Sequence, residues 1–189
     1  VINPLKLTIA NYEDKAFEEI KFEINPQKKE IGARKIKFSK TIYIERDDFK
    51  EAADDNFFRL KTGGEVRLKN AYIIKATEVL KDDKGEVVEV LCEYDKKSKS
   101  GSNTPESNRK VKGTIHWVSA TYSVDAKINI YDRLFKVSEP GKEKDLLADI
   151  NEDSLQVFEA KVEPHLQKAK EGEKFQFQRT GYFVRTANK

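Results

Sequence analysis

An all-β fold with a few short helices is what this sequence predicts, and three observations carry that reading. Apolar residues recur at alternate positions through much of the chain, the pattern of strands with one face in water. Glycine- and aspartate-bearing breaks interrupt those runs at short intervals. Helix-start signals are scarce by comparison. Many short strands in one chain call for a sandwich or barrels, because an open sheet of that length would leave its edges exposed.

In order along the chain, alternation marks strands at 6–9, 17–24, 35–45, 65–79, 86–94, 111–119, 127–135 and 174–184. Gly85, in a Lys-Asp-Asp-Lys-Gly-Glu stretch between two β-rich runs, offers the positive-φ position that a hairpin needs. Asp47 or Asp48 can cap a short helix running to about residue 58, a second fits 144–150, and Pro164 can open a third turn toward residue 170, ended by Gly172. The Lys-, Ser- and Asn-rich stretch 96–109, with Gly101 and Pro105, has no apolar face to bury and is expected to be a mobile surface loop.

A chain of 189 residues is long enough for one generous core or two small ones. Its 37% charged residues exceed the roughly 25% of ordinary domains, but the 10% aromatic and 38% apolar residues set in alternating runs argue against disorder. A net charge of +3 is too small for bulk basicity to announce a nucleic-acid binder, so any such function must rest on local clustering. The single cysteine, Cys92, excludes an internal disulfide framework and lacks partners for a zinc site. With no signal peptide and no apolar run of about 18 residues, the expectation is a cytoplasmic protein without a membrane span. Val1 is an unusual first residue, from which we expect a start inside a longer polypeptide.

The local cluster exists. Arg59, Lys61, Arg67, Lys69 and Lys75 face one acid, Glu65, between residues 59 and 75. Alternation turns Val66 and Leu68 inward and sends Arg67 and Lys69 to the wet face, near Asn70 and Tyr72 in sequence. A guanidinium, an amide and an aromatic ring are what base edges and base faces require, although the residues alone also fit a merely solvated strand. Lys110, Lys112, Thr114 and His116 share one parity, available to phosphate or base, while Val111, Ile115 and Trp117 share the core parity. Cys92 alternates with Val88, Val90 and Tyr94 as a small buried hydrophobe. Gln176 and Gln178 alternate with Phe175 and Phe177, so Arg179 joins the glutamine face only across a strand end or bulge. The acid pairs at 47–48 and 54–55 are expected to be solvated. Residues 96–100, Lys-Lys-Ser-Lys-Ser, imitate the loop with which class I synthetases hold ATP, but no His-x-Gly-His element, nucleotide-binding βαβ pattern or glycine-rich phosphate turn accompanies them. They are a decoy, and no catalytic, cofactor-binding or metal-ligating residue is expected in the chain.

Six blocks, VINPLKLTI, IGARKIKFSKTIYIERDDF, EVRLKNAYIIKA, KVKGTIHWVSA, YDRLF and FQFQRTGYF, resemble in order and spacing the carboxy-terminal anticodon-binding region of bacterial glutaminyl-tRNA synthetases, almost end to end. Glutamyl-tRNA synthetases of archaeal and eukaryotic type share part of the pattern. A ribosomal 5S-RNA-binding barrel and a protein-interaction sandwich are further alternatives. The resemblance implies two β-barrels, one inserted in the other: a proximal barrel of 1–48 and 122–189 and a distal one of 49–121. Together they would grip the anticodon loop of glutamine tRNA and splay its bases. Matched by position, Arg59 reads the third anticodon base, a guanine. Arg67 and Lys69 serve the first, with Asn70 beside them and Lys69 standing where the family has a second arginine. Gln176 and Arg179 serve the central uracil. Gln27, Lys110, Lys112 and His116 are candidate backbone contacts. Phe58 occupies the place of a family lysine, and a family arginine and a final segment fall before Val1 and after Phe183. The resemblance further implies a monomer whose amino-terminal catalytic domain, elsewhere in the same polypeptide, joins glutamine to tRNA with ATP. No cofactor is expected in this chain.

Overall fold

The computed structural model describes residues 1–14, 17–25, 27–54, 56–142 and 145–187. Strand dominates: β1 (Pro4–Ile9), β2 (Phe17–Glu23), β3 (Ala33–Ser39), β4 (Thr41–Glu45), β5 (Phe49–Lys50), β6 (Leu60–Lys61), β7 (Glu65–Leu68), β8 (Ile73–Lys81), β9 (Val87–Tyr94), β10 (Thr114–Ile115), β11 (Val118–Ser119), β12 (Val124–Tyr131), β13 (Leu155–Val162), β14 (Lys174–Phe177) and β15 (Gly181–Val184). The fold is all-β with a few short helices, built from a curled sheet and several small ones.

The curled sheet has seven strands in the order β10-β7-β8-β9-β1-β4-β11. One interior strand is β1, whose Leu5, Leu7 and Ile9 are fully buried and which pairs antiparallel to β4 and parallel to β9. The sheet thus draws strands from both sides of the barrel boundary expected at residue 48. Alternation decides the inside: Val66 and Leu68 in β7, and Val90 and Cys92 in β9, are buried as their parity predicts. The β2–β3 hairpin covers this concave face with Ile20, Phe22, Ile36 and Phe38. Trp117 fills the middle, edge-on to Phe38 at 5.0 Å, and its Nε1 donates to the Lys69 carbonyl at 3.0 Å, so the buried indole leaves no unmet donor. The remaining chain forms two two-stranded antiparallel ribbons, β12–β13 and β14–β15.

The predicted hairpin around Gly85 is present. That glycine adopts φ 82°, and the Asp82 carboxylate accepts the N–H groups of Lys84 and Glu86. Three expected runs divide at bends or turns. Run 35–45 splits at Lys40, 65–79 splits at Asn70 with φ 57°, and 174–184 splits at Arg179 with φ 66°. Run 111–119 yields only the two-residue strands β10 and β11. The helix expected from Asp47 or Asp48 to about residue 58 does not form. A 3₁₀ turn at Arg46–Asp48 gives way at once to β5, because Phe49 is buried and pairs in parallel with Leu60. The helix expected at 144–150 is a 3₁₀ turn, Leu146–Asp149, and Lys144 lies outside the described residues. Pro164–Lys168 makes the third turn, with Gly172 beyond it at φ 80°. Among the described residues no helix is long and apolar enough to cross a membrane.

Candidate nucleic-acid interface

Asp48 ends the 3₁₀ turn after β4 with its side chain almost wholly buried, 2% exposed. A carboxylate removed from water needs cations or donors at both oxygens. Two arginines supply them: Arg59 Nε lies 3.2 Å from Oδ1, and Arg179 Nη2 donates to Oδ2 at 2.5 Å. Arg59 also donates from Nη1 to the Asp47 carbonyl at 3.0 Å. The parallel pairing of Phe49 with Leu60 puts Asp48 and Arg59 in adjacent positions on neighbouring segments. Arg179 arrives from 131 residues away on the β14–β15 turn, where its positive φ lies past the end of β14, and Gln176 is not among the residues that line the cleft it enters. Asp48 therefore departs from the solvated role expected of the 47–48 pair. Asp55, of the other pair, lies outside the described residues.

The two guanidiniums open onto a cleft of about 880 Å³. Arg46, Lys50, Phe57 and Phe58 line it too, with Gly113 and Thr114 forming the far wall. Phe58 is 52% exposed, and Lys112 Nζ sits 5.7 Å from its ring centroid. Gly113 has no substitute here: a Cβ on it would stand 1.9 Å from the Phe58 carbonyl oxygen, so only glycine lets the wall close onto the backbone that carries Phe58 and Arg59. A cationic cleft with an exposed ring offers charge to phosphate and a face to a base.

The other predicted residues are distributed differently. Arg67 lies on the solvent side of β7, but its side chain turns into the 96–109 loop. Nη1 donates to the Ser98 carbonyl at 2.9 Å and Ser100 Oγ at 3.2 Å, and Nη2 to the carbonyls of Ser107 at 2.7 Å and Arg109 at 3.4 Å. Burial, and then the neighbouring Arg109, lower its pKa. Lys69 and Asn70 form the turn after β7, and Asn70 Nδ2 donates to the Lys21 carbonyl at 3.2 Å. Tyr72 is not on that surface. It is 7% exposed in the aromatic core and donates its hydroxyl to Glu18 at 2.5 Å. Gln27, Lys110, Lys112 and Gln176 are exposed. His116 is not laid open with the lysines of its parity: its Nδ1 is sealed without a hydrogen-bond partner among the described residues, and burial first, then surrounding positive charge, hold the ring down to about 4. At neutral pH it carries no charge for a phosphate.

The 96–109 loop is knit by its own polar groups. Ser98, fully buried, takes the Ile73 N–H on its hydroxyl at 2.7 Å, Lys99 pairs with Glu18, and Ser100 donates to the Ala71 carbonyl at 2.9 Å. Thr104 caps the one-turn helix α1 (Pro105–Asn108) by accepting the Ser107 N–H. Ser98, Lys99 and Ser100 of the lysine-serine run thus all bond within the fold. Among the described residues no group of three or more His, Cys, Asp and Glu could hold a metal ion.

Sequence reasoning passed over Asp48 as a clamp and Phe57, Arg46 and Lys50 as lining. The available signal was Arg46-Asp47-Asp48 directly after a strand, too common a string to single out. Comparison with known proteins adds a second line. A family described as the anti-codon binding domain of class I tRNA synthetases (E and Q) matches residues 1–95, and a second of the same description matches 114–186. Similar proteins named glutamine–tRNA ligase come from Cronobacter sakazakii (46% identity, 97% of this chain and 33% of the relative) and Rhodopirellula baltica (47%, 97% and 31%). Another is that of Nitrosomonas europaea (46%, 97% and 33%). The chain spans about a third of the length of these relatives.

Proposed function

Because the chain belongs to the anticodon-binding domain family of the class I (E and Q) tRNA synthetases, we propose that it reads the anticodon loop of glutamine tRNA for a glutamine–tRNA ligase. The observation that carries the site assignment is the cleft in which Arg59 and Arg179, matched to the readers of the third and central bases, stand on one buried carboxylate beside an exposed phenylalanine. Arginine donates two parallel hydrogen bonds to guanine, and the Gln176 amide complements the donor and acceptor of uracil, each good pairing worth roughly 1–3 kcal/mol of discrimination. Unpaired loop bases expose those edges for reading.

For the first base, Lys69 and Asn70 offer donors at the β7–β8 turn. Arg67 acts mainly by holding the 96–109 loop, since all four of its Nη hydrogens have acceptors inside the protein and only Nε remains. Lys110, Lys112 and Gln27 contribute to backbone binding, and His116 only as a neutral group. The catalytic domain of the whole ligase, with ATP and glutamine, performs the chemistry. This chain supplies recognition.

The test compares binding of glutamine tRNA with that of a transcript altered at its third anticodon base, at moderate salt. We expect tighter binding of the former, a preference narrowed about tenfold by Arg59→Ala, and a uniform loss for every RNA, with a shallower salt slope, in Lys112→Ala. Equal affinities in the unmodified protein would remove the assignment.

A further inference from the structure

We propose that Asp48 is a positioning residue that couples reading of the third and central anticodon bases by holding Arg59 and Arg179 in their reading poses; this rests on the anticodon assignment above. Asp48 does not itself line the cleft. Its side chain is 2% exposed while those of the two arginines are 42% and 36% exposed, so the carboxylate forms the floor of the site and the guanidiniums its surface.

The division of donors follows from the distances. Arg59 holds Nε in an ion pair 3.2 Å from Asp48 Oδ1 and donates Nη1 to the Asp47 carbonyl, which leaves Nη2 without an acceptor among the described residues. Arg179 commits Nη2 to Oδ2 and keeps Nη1 and Nε. Two guanidiniums brought to one place repel each other unless an anion lies between them. A buried acid serves better than an exposed one, because water neither screens it nor competes for its oxygens. Asp48 also ties a residue before β6 to one in the β14–β15 turn, so each arginine's pose depends on the other's claim on the same carboxylate.

That dependence separates positioning from mere folding. Asparagine at 48 keeps the shape but offers one acceptor oxygen, and turns an NH₂ group toward the second guanidinium. The cluster gains one unit of positive charge, so affinity for RNA of any sequence should hold or rise while selectivity falls. Removing Arg179 frees Oδ2, and Arg59 can then take both oxygens and be drawn from the cleft.

The experiment measures binding of glutamine tRNA and of two transcripts, altered singly at the central and third bases, to the purified protein, with thermal melting of each variant. In Asp48→Asn we expect the preference at both bases to fall about tenfold, with undiminished affinity for the altered transcripts. In Arg59→Ala/Asp48→Asn the second change should cost nothing further at the third base but still lower the preference at the central one. Arg179→Ala, which keeps the buried acid paired and covers the case in which Asp48→Asn does not fold, should lower the third-base preference severalfold. An unmodified protein indifferent to both bases overturns the anticodon reading itself. With discrimination intact in the unmodified protein, retained preference in Asp48→Asn, equal weakening toward all three RNAs, or an Arg179→Ala effect confined to the central base overturns the coupling alone.

Discussion

Phe58 leaves about half of its surface in water at a cationic cleft, where a fully polar side chain would be the commoner choice. On the proposed reading that ring is a stacking face for an unpaired base next to Arg59, with Lys112 above it for phosphate. Stacking on an aromatic residue is worth about 1–3 kcal/mol per base. Phe58→Ala should weaken glutamine tRNA roughly tenfold without shifting the melting temperature, and Phe58→Trp should keep the affinity, as fluorescence anisotropy and thermal melting would measure. Unchanged affinity in the alanine variant would reduce the ring to an exposed hydrophobe. From the sequence Phe58 was visible only as a departure from the family's lysine. Its backbone is met by Gly113 from 55 residues away, a contact that no local pattern encodes.

At the scale of elements, strand periodicity was legible wherever one face was buried and the other wet, as at β7, where Val66 and Leu68 alternate with Arg67 and Lys69. It was not legible at β13. There Leu155 and Val157 are 47% and 49% exposed on one face while Ala160 and Val162 are buried on the other, so apolar residues occupy both parities. The helix expected after Asp48 failed for the complementary reason: a capping residue is a local signal, and the buried pair Phe49 and Leu60 is a long-range one that outweighed it. Segment 96–109 illustrates the same limit. It has no hydrophobic face, and its order comes from acceptors gathered around one guanidinium. Arg67→Ala would strip partners from the carbonyls of buried Ser98 and half-buried Ser107, at a cost of about 2–4 kcal/mol by the usual penalties for lost charge-assisted bonds. Urea unfolding should report that loss, and amide exchange should rise selectively between residues 96 and 109. If Arg67 serves RNA alone, both measurements will match the unmodified protein.

Over the whole molecule, the join between the curled sheet's hairpin and the later ribbon rests on charge as well as on packing. Arg34, on β3, donates to both oxygens of Glu163 at 2.5 and 2.9 Å, just beyond the end of β13 and 129 residues away, with His165 3.2 Å from the same carboxylate. Burial pushes Glu163 upward, but the Arg34 and His165 bonds outweigh it and hold the carboxyl at about 2, below the ordinary 4.5. A carboxyl depressed on folding stabilises the native state fully above its unfolded value, so this contribution fades as pH falls from about 4.5 to 2. His116 acts at higher pH. Its folded value is about 4 against an ordinary 6.5, so the unfolded chain binds the extra proton in that window, and stability is complete above 6.5 and lost as pH falls toward 4. A shift of that size corresponds to about 3 kcal/mol. Denaturant unfolding at pH 7, 5 and 3.5 should therefore lose stability in two overlapping stages. His116→Phe, which also removes the unpartnered Nδ1, should be as stable as the unmodified protein at pH 7 and lose less of its stability between pH 7 and 5, while Glu163→Gln should be weaker at pH 7 and flatter below 4.5. An unchanged decline between pH 7 and 5 in His116→Phe would mean that the imidazole is not held neutral by its surroundings and that other groups set the acid limit of the fold.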